Sequence, residues 1–165
     1  MTSTVPQDIS DPELVQLARI AMKRAYCPYS NFPVGAVVLT ESGETIFGCN
    51  VENASYGGTI CAERSAIVSA VSQGHRKFRA LALATGLKEP ARPCGLCRQF
   101  LVEFGDFKVI IGTSVNEELV VTSSYQLLPH AFTPKSLETF DEEQKKIENS
   151  EAMESKETAV AAASS

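Results

Sequence analysis

Two short segments that contain cysteine constrain this chain more than any other feature. The first is Cys61-Ala-Glu63, and the second, about thirty residues later, is Pro93-Cys94-Gly-Leu-Cys97. Three thiolates can hold a zinc ion and leave its fourth position open, whereas structural zinc sites close all four positions. Glu63 follows the first thiol by two residues and can act on whatever occupies the open position. The pattern therefore predicts a catalytic zinc site that draws ligands from two distant segments.

The cysteines allow two other interpretations. Taken alone, Cys94-x-x-Cys97 is equally typical of a redox pair and of half a structural zinc site. A redox pair would leave the spacing of Cys61 and Glu63 as a coincidence, and a closed structural site needs a fourth ligand. The remaining thiols and imidazoles, none of them in ligand-like spacing, belong to Cys27, Cys49, His75 and His130. An open catalytic site is the favoured hypothesis.

Both cysteine segments lie where helices are predicted to begin. Three thiolates give a zinc site a net charge of about −1, which opposes the activation of bound water. The partial positive charge and free N–H groups of two helix N-termini offset this charge. Arg64 could donate a hydrogen bond to a thiolate and draw further charge from it. Glu63, beside the metal without being a ligand, is the candidate for moving protons.

The composition indicates one compact domain in a reducing compartment. The chain has 165 residues, 44% of them hydrophobic, which suffices for one core but not comfortably for two. No apolar run approaches the roughly 20 residues of a membrane span, and residues 1–11 lack the apolar stretch of a signal peptide. The odd count of five cysteines fits metal binding better than a disulfide framework. We expect a cytoplasmic protein with no membrane partner, small enough to diffuse into the nucleus as well.

The formal net charge of −5 is spread unevenly. Residues 141–165 contain seven acids and three lysines, so most of the negative charge lies there. The preceding residues hold no basic stripe of the kind that binds a phosphate backbone. The sequence thus argues against a nucleic-acid polymer as partner, but not against a small neutral nucleoside.

Hydrophobic periodicity predicts helices and strands in the order α-β-β-α-β-α-β-β-α, in which the last α stands for two short terminal helices. The first helix begins at Ser10-Asp11-Pro12-Glu13, which reads as a capping box. The predicted helices are 11–25, 61–73, 94–104, 124–128 and 134–140, and the strands 34–39, 45–49, 80–85, 109–111 and 119–122. Strands separated by helices pair in parallel, and the hairpin makes the sheet mixed. We expect an α/β fold with a mixed five-stranded sheet and helices on both faces.

The chain divides into three predicted parts. Residues 1–10 form a flexible lead-in, and residues 11–140 form the catalytic domain. Residues 141–165 are rich in Glu, Lys, Ser and Ala with almost no large apolar side chain. Such a segment cannot bury enough surface to offset the entropy of ordering it, so we predict a disordered acidic tail.

Several segments in the same order resemble the small homotetrameric cytidine deaminases. They are Ala25-Tyr-Cys-Pro-Tyr-Ser-Asn-Phe-Pro-Val-Gly-Ala36, Gly48-Cys-Asn-Val-Glu-Asn-Ala-Ser-Tyr56, Cys61-Ala-Glu-Arg-Ser-Ala66, Pro93-Cys-Gly-Leu-Cys-Arg-Gln99 and Leu127-Leu-Pro-His-Ala-Phe-Thr-Pro134. A Cys or His two residues before Glu, followed by Pro-Cys-x-x-Cys, is also the signature of zinc nucleobase deaminases. The resemblance runs from about Asp11 to Phe140 and implies a three-layer cytidine deaminase-like fold and a homotetramer.

The resemblance also implies the metal site. Cys61, Cys94 and Cys97 are similar to the family's three ligands of one zinc ion per chain, and Glu63 to its proton shuttle.

For the substrate, Asn50 and Glu52 resemble the pair that hydrogen-bonds a ribose hydroxyl, and Phe32 resembles the aromatic residue that packs on the pyrimidine. Because residues 50 and 52 alternate at period two, both can project from one side of an extended segment. Without the resemblance, a capped turn with solvated side chains remains a reasonable interpretation of this pair.

Three further positions are similar to family residues that reach a neighbouring subunit's site, namely Ala54, Tyr56 and Phe132. The chain departs from the family at Gly57-Gly58-Thr59, where the relatives usually carry a bulkier Pro-Leu-Gly.

The reaction implied is hydrolytic deamination of cytidine and deoxycytidine to uridine and deoxyuridine, with release of ammonia. Two alternatives stay open from the residues alone: a related deaminase acting on another base or nucleoside, such as blasticidin, and a non-catalytic RNA-binding protein with structural zinc. Asn50 and Glu52 argue for a ribose-bearing substrate. The lack of a basic patch and the unused Glu63 argue against the RNA-binding protein.

Overall fold

Helices and strands alternate along most of the chain. The computed structural model describes residues 9–163, with side chains from 9 to 152. The helices are α1 (Asp11–Met22), α2 (Ala62–Ser72), α3 (Gly95–Val102), α4 (Ser124–Leu127) and α5 (Pro134–Ala163). The strands are β1 (Val34–Thr40), β2 (Thr45–Cys49), β3 (Phe78–Thr85), β4 (Lys108–Thr113) and β5 (Leu119–Ser123). A short 3-10 turn spans Tyr56–Gly58.

The five strands form one mixed sheet in the order β2-β1-β3-β4-β5. The β3 and β4 strands, which α3 connects, are parallel, with Leu81 opposite Val109. The other three pairings are antiparallel, including the predicted β1–β2 hairpin. The predicted mixed five-stranded sheet is therefore confirmed, and the crossover through α3 explains its single parallel pair.

Helices cover both faces of the sheet, as predicted. Successive strand residues point to opposite faces, so the core divides into two clusters. Leu14, Val15 and Ala18 of α1 pack with Val37 and Leu39 on one face. On the other face, α2 and α3 pack against a larger set that includes Ala36, Val38, Leu81, Leu83, Val109 and Ile111. The three layers place the N-termini of α2 and α3 on the same face of the sheet.

A glycine in β2 sets the distance between the sheet and α2. A Cβ atom at Gly48 would lie 2.3 Å from the backbone nitrogen of Ala66 and 2.6 Å from the carbonyl oxygen of Ala62. Only glycine allows the helix backbone to approach the strand this closely. Since Cys61 is the N-cap of α2, this contact also fixes the position of the first predicted metal ligand.

The C-terminal segment differs from its prediction. Where the sequence predicts disorder from Asp141, α5 continues as a helix to Ala163. The predicted disorder rests on how few apolar side chains this segment can bury, and every side chain from 141 to 152 is indeed exposed. Low burial does not prevent a helix, however, because Glu, Lys, Ala and Met have high helix propensity and Pro134 suits a first helical position.

By its internal contacts the chain separates into two compact units, with the division after Ala131. This lies nine residues before the predicted end of the catalytic domain, whose functional limits stay a prediction. Most of the predicted lead-in, residues 1–8, lies outside the described residues, and α1 begins after Ser10, where Glu13 Oε2 accepts a 2.8 Å hydrogen bond from the Ser10 N–H. Among the described helices, none is both long and apolar enough to cross a membrane.

Candidate metal centre and substrate cleft

The two cysteine segments meet at the N-termini of α2 and α3. Cys61 is the N-cap of α2 and Cys94 the N-cap of α3, while Cys97 lies in the first turn of α3. The three sulfur atoms all lie within 4.8 Å of one another, and Cys61 Sγ is 3.9 Å from Cys94 Sγ. Tetrahedral ligands at the usual Zn–S distance of about 2.3 Å are separated by roughly 3.8 Å. The thiols therefore fit zinc as three of its four ligands.

No fourth protein ligand joins this group within the part of the chain that the structure describes. The four candidates for closing the site, Cys27, Cys49, His75 and His130, are absent from it. His75 instead lies beside Glu44, with 3.1 Å between Nε2 and Oε2. The arrangement is that of an open site, as the spacing of the cysteines predicts, and it leaves a coordination position for water or substrate.

Arg64 connects the first thiol with the loop that precedes it. Its Nη2 lies 3.7 Å from Cys61 Sγ and 3.2 Å from the Thr59 carbonyl oxygen. The hydrogen bond to the Cys61 sulfur raises the pKa of Arg64 above its ordinary value, so the guanidinium stays charged. A cation here draws negative charge from the thiolate, which is the role predicted for this residue.

The thiols share their protons unequally. A hydrogen bond from the Cys97 thiol lowers the pKa of Cys61 to about 5, with further help from Arg64. The same hydrogen bond, together with burial, raises the pKa of Cys97. Cys61 is thus ready to bind as a thiolate at neutral pH, whereas binding at Cys97 must release a proton.

Glu63 lies in the first turn of α2 and is 4% exposed. Burial raises the pKa of its carboxyl group above the ordinary value. A raised pKa brings a carboxyl closer to neutral pH, where it can both take up and give back a proton. Glu63 interacts with Cys61 and Cys97 but is not among the clustered ligand atoms, so it lies near the thiols without being one of the three ligands.

A cleft of about 420 Å³ opens beside the thiols, within the usual range for a small-molecule site. Its lining residues are Ser30, Phe32, Val34, Asn50, Glu52, Thr59, Cys61, Ala62, Glu63, Leu83, Thr85, Ala91, Arg92 and Cys94. The predicted ligands Cys61 and Cys94, the predicted proton shuttle and the three predicted substrate contacts on residues 32, 50 and 52 all face one space. Its wall is mostly apolar, with a few polar groups that converge on it.

Asn50 holds the backbone on both sides of Pro33. Its Oδ1 accepts a 2.8 Å hydrogen bond from the Val34 N–H, and its Nδ2 donates a 2.9 Å hydrogen bond to the Phe32 carbonyl. Asn50 is 8% exposed and Phe32 is 37% exposed. The amide therefore holds the aromatic residue at the cleft wall and keeps one N–H and one lone pair for a ligand.

Glu52 receives hydrogen bonds from the loop between α1 and β1. Its Oε2 accepts from the backbone N–H groups of Tyr29 (2.9 Å) and Ser30 (3.2 Å), and its Oε1 accepts from the Ser30 hydroxyl. The hydrogen bond from the Ser30 side chain is the main cause that holds the pKa of Glu52 below its ordinary value. Glu52 is therefore an ionised acceptor at the cleft.

The other predicted substrate contacts do not line this cleft. Ala54 is exposed, and Tyr56 is 75% exposed, with its ring 5.7 Å from that of Tyr29. Tyr56 instead lines an adjoining cavity of about 310 Å³ that shares Ser30, Glu52 and Thr59 with the cleft. Phe132 belongs to the second compact unit and is 60% exposed.

Sequence reasoning missed several residues of the cleft wall, among them Ser30, Thr59, Thr85 and Arg92. Ser30 lies in the segment 25–36 that resembles the family, directly after Tyr29. A small polar side chain in a loop does not by itself indicate a role in a site. Thr85 ends a buried strand. These residues reach the site because strand ends pack against loops that are far away in sequence, and no local pattern reveals such contacts.

The sequence pattern of one known family matches residues 9–113, and its description is "Cytidine and deoxycytidylate deaminase zinc-binding region". The matched region contains the three clustered thiols and every residue of the cleft wall. The chain therefore belongs to the cytidine and deoxycytidylate deaminase family, and zinc is the cofactor of the thiol site.

Individual relatives agree with this assignment. The cytidine deaminase of Sporosarcina psychrophila is 43% identical over 76% of this chain and 93% of its own length. That of Halalkalibacterium halodurans is 44% identical over 75% of this chain and 95% of its own length. The crystal structure of cytidine deaminase from Burkholderia pseudomallei superposes with a TM-score of 0.73 at 43% identity, covering 75% of this chain and 100% of that one.

Proposed function

We propose that the protein hydrolyses cytidine and deoxycytidine to uridine and deoxyuridine and releases ammonia. The observation that carries this proposal is the single cleft that joins Cys61 and Cys94 of the thiol cluster with the buried Glu63 and the polar pair Asn50 and Glu52. The protein is an enzyme of the hydrolase class, since its family and its relatives of similar length are deaminases.

The thiolates of Cys61, Cys94 and Cys97 would hold the zinc ion. When bound, zinc supplies a Lewis acid that makes a water molecule nucleophilic near neutral pH. Glu63 would take a proton from the attacking water and deliver it to N3 of the pyrimidine. It would then take the remaining proton from the oxygen added at C4 and carry it to the amino nitrogen, so that the C4–N bond breaks, ammonia leaves and C4 becomes a carbonyl. Burial raises the pKa of Glu63, which favours a carboxyl group that can hold a proton between these transfers.

The remaining groups of the cleft orient the nucleoside. The Phe32 ring lies at the wall where a pyrimidine can pack against it. Asn50 and Glu52 each keep hydrogen-bonding capacity for a sugar hydroxyl, after their contacts with the loop are counted. The polar pair favours a ribose-bearing substrate over a free base.

One assay with several substrates tests the proposal. The zinc-loaded protein is incubated with cytidine, deoxycytidine, cytosine and deoxycytidine monophosphate, and uracil-containing products and ammonia are quantified. Turnover of the two nucleosides with stoichiometric ammonia is expected. Turnover restricted to cytosine or to the monophosphate would contradict the assignment of Asn50 and Glu52.

We also propose a homotetramer whose sites are completed across subunits by Ala54, Tyr56 and Phe132. The support is their exposure in a single chain, with Tyr56 at 75% and Phe132 at 60%. Exposed large aromatic side chains are typical of a surface that a second subunit covers.

The cytoplasm is the compartment we propose, because a site built from three reduced thiols requires a reducing environment. Fractionation of cells that express the tagged full-length chain tests this, with detection in an oxidising compartment as the contradicting outcome.

A further inference from the structure

One hydroxyl group lies between two of the proposed substrate contacts. The Ser30 hydroxyl donates a hydrogen bond to Glu52 Oε1 and accepts one of 3.0 Å from the Phe32 N–H. The Ser30 backbone N–H also donates to Glu52 Oε2, at 3.2 Å. Of the residues that hydrogen-bond to this group, Tyr29 reaches only Glu52 and Asn50 only the Phe32 backbone, whereas Ser30 reaches both.

These contacts determine what Glu52 can still bind. An ionised carboxylate has about four lone-pair sites. Two on Oε2 are used by the backbone N–H groups of Tyr29 and Ser30, and one on Oε1 by the Ser30 hydroxyl. The lone pair that remains free to accept a hydrogen bond is on Oε1. Its direction depends on how the Ser30 hydroxyl orients the carboxylate.

The same hydroxyl holds Phe32 from the opposite side to Asn50. The Phe32 N–H is bound by Ser30 and the Phe32 carbonyl by the Asn50 amide. Asn31, which lies between Ser30 and Phe32 in sequence, has a φ of 53°, in the left-handed region. Asparagine tolerates that region better than most residues, but such a conformation persists only when its surroundings fix it. Ser30 and Asn50 fix this one.

We infer that Ser30 is a positioning residue for the nucleoside, which couples the sugar-binding carboxylate of Glu52 to the pyrimidine-packing ring of Phe32. The inference rests on the proposed function and adds a residue to its site. Ser30 touches no reacting atom in this scheme. Its removal should therefore weaken nucleoside binding while it leaves the proton transfers by Glu63 in place.

The test compares Ser30→Ala with Ser30→Thr, which keeps the hydroxyl at this exposed position. Hydrogen bonds to charged groups correspond to roughly tenfold in binding, so Ser30→Ala should raise KM for cytidine by about that factor with kcat nearly unchanged. Ser30→Thr should restore KM. With 2′,3′-dideoxycytidine, which offers Glu52 no sugar hydroxyl at these positions, the effect of Ser30→Ala should be smaller.

A titration of the Glu52 carboxyl by NMR gives a readout that does not depend on turnover. Since the Ser30 hydrogen bond lowers the pKa of Glu52, the pKa should rise in Ser30→Ala and fall back in Ser30→Thr. The acid limb of the kcat/KM profile should move to higher pH with it.

Several results would overturn the inference. An equal loss of kcat/KM with cytidine and dideoxycytidine would assign Ser30 a general structural role, and an unchanged KM in a folded Ser30→Ala protein would leave it without a role. Either result leaves wild-type deamination of cytidine intact, so the proposed function would stand. A wild-type protein that does not deaminate cytidine would instead overturn the proposed function and this inference together.

Discussion

At the residue scale, burial sets the chemistry of Glu63. Glu63 is 4% exposed and lies near Cys61, whose pKa a hydrogen bond from Cys97 lowers to about 5. Desolvation makes the charged form of a carboxyl less favourable, which raises its pKa and keeps a proton within reach at neutral pH. An exposed glutamate at the same distance from the metal would be a weaker acid–base group for this reason.

Glu63→Gln should abolish turnover while zinc and the fold are retained. The amide keeps the volume of the side chain but cannot move a proton, and acid–base groups contribute on the order of 100- to 10,000-fold. Zinc content, thermal melting and the deamination rate are measured on the variant and on Glu41→Gln, an exposed acid outside the cleft. A Glu63→Gln rate within tenfold of the wild type would remove Glu63 from the mechanism.

Cys94→Ser should lose zinc, activity and stability together, because the free energy of metal binding is coupled to folding. The matched control is Cys27→Ser, which changes a free thiol outside the cluster. Metal analysis after dialysis and thermal melting with and without a chelator measure the two effects. One tightly bound zinc ion per chain in Cys94→Ser would show that Cys94 is not a ligand.

At the scale of elements, the packing of two helices on one face of the sheet creates the metal centre. Each helix brings its N-terminus, with free N–H groups and partial positive charge, to the same place. The close approach of α2 to β2 at Gly48 positions Cys61, and the parallel crossover through α3 positions Cys94 and Cys97. The ligands are precise because they sit on these packed elements.

Gly48→Ala should destabilise the protein and weaken zinc retention. The added methyl group meets backbone atoms of α2 at 2.3 and 2.6 Å, so the helix must shift. Forced repacking of this kind costs about 1–3 kcal/mol, or more where backbone must move. Denaturant unfolding and the rate of zinc loss to a chelator report the two effects.

Gly86→Ala serves as its control, since a Cβ there meets nothing within 4 Å and a change within about 0.5 kcal/mol is expected. Equal stability of the two variants would contradict the role assigned to Gly48.

Removal of residues 141–165 should leave deamination and the fold nearly intact. The side chains from 141 to 152 are all exposed, so their loss removes little buried apolar surface. Since α5 extends to Ala163, the truncated protein should lose helical signal in circular dichroism. An unchanged signal would restore the prediction of a disordered tail, and loss of activity would require contacts of this segment with the catalytic unit.

At the scale of the whole molecule, assembly should complete the active site. We expect a homotetramer, because Tyr56 and Phe132 are the exposed aromatic residues that resemble contacts to a neighbour's site. Sedimentation measures the mass at assay concentration. A fully active monomer would refute the proposal.

Mixing two inactive variants tests shared sites directly. Glu63→Gln and Phe132→Ala chains, each weak alone, should regain activity after they are mixed through reversible dissociation. Some sites then combine an intact Glu63 from one chain with an intact Phe132 from another. Purely additive activity of the mixture would indicate that each chain builds its site alone.

The sequence by itself determined the metal chemistry and the main elements. Thiol spacing, the glutamate beside the first thiol and the predicted helix starts at Cys61 and Cys94 are local features, and local features follow from residue types and periodicity. The capping box at Ser10 and the hairpin of β1 and β2 were predictable for the same reason. So was the mixed character of the sheet.

Only the tertiary structure decided which strands are neighbours, how deeply Glu63 is buried, and that Ser30 meets both Glu52 and Phe32. These depend on contacts between residues far apart in sequence, and no short pattern encodes them. The helical continuation of α5 shows a different limit of sequence-based prediction. The composition of residues 141–165 indicates their exposure but not their backbone conformation. Helix propensity and burial are separate physical quantities, so the exposure of a segment does not determine whether its backbone is helical.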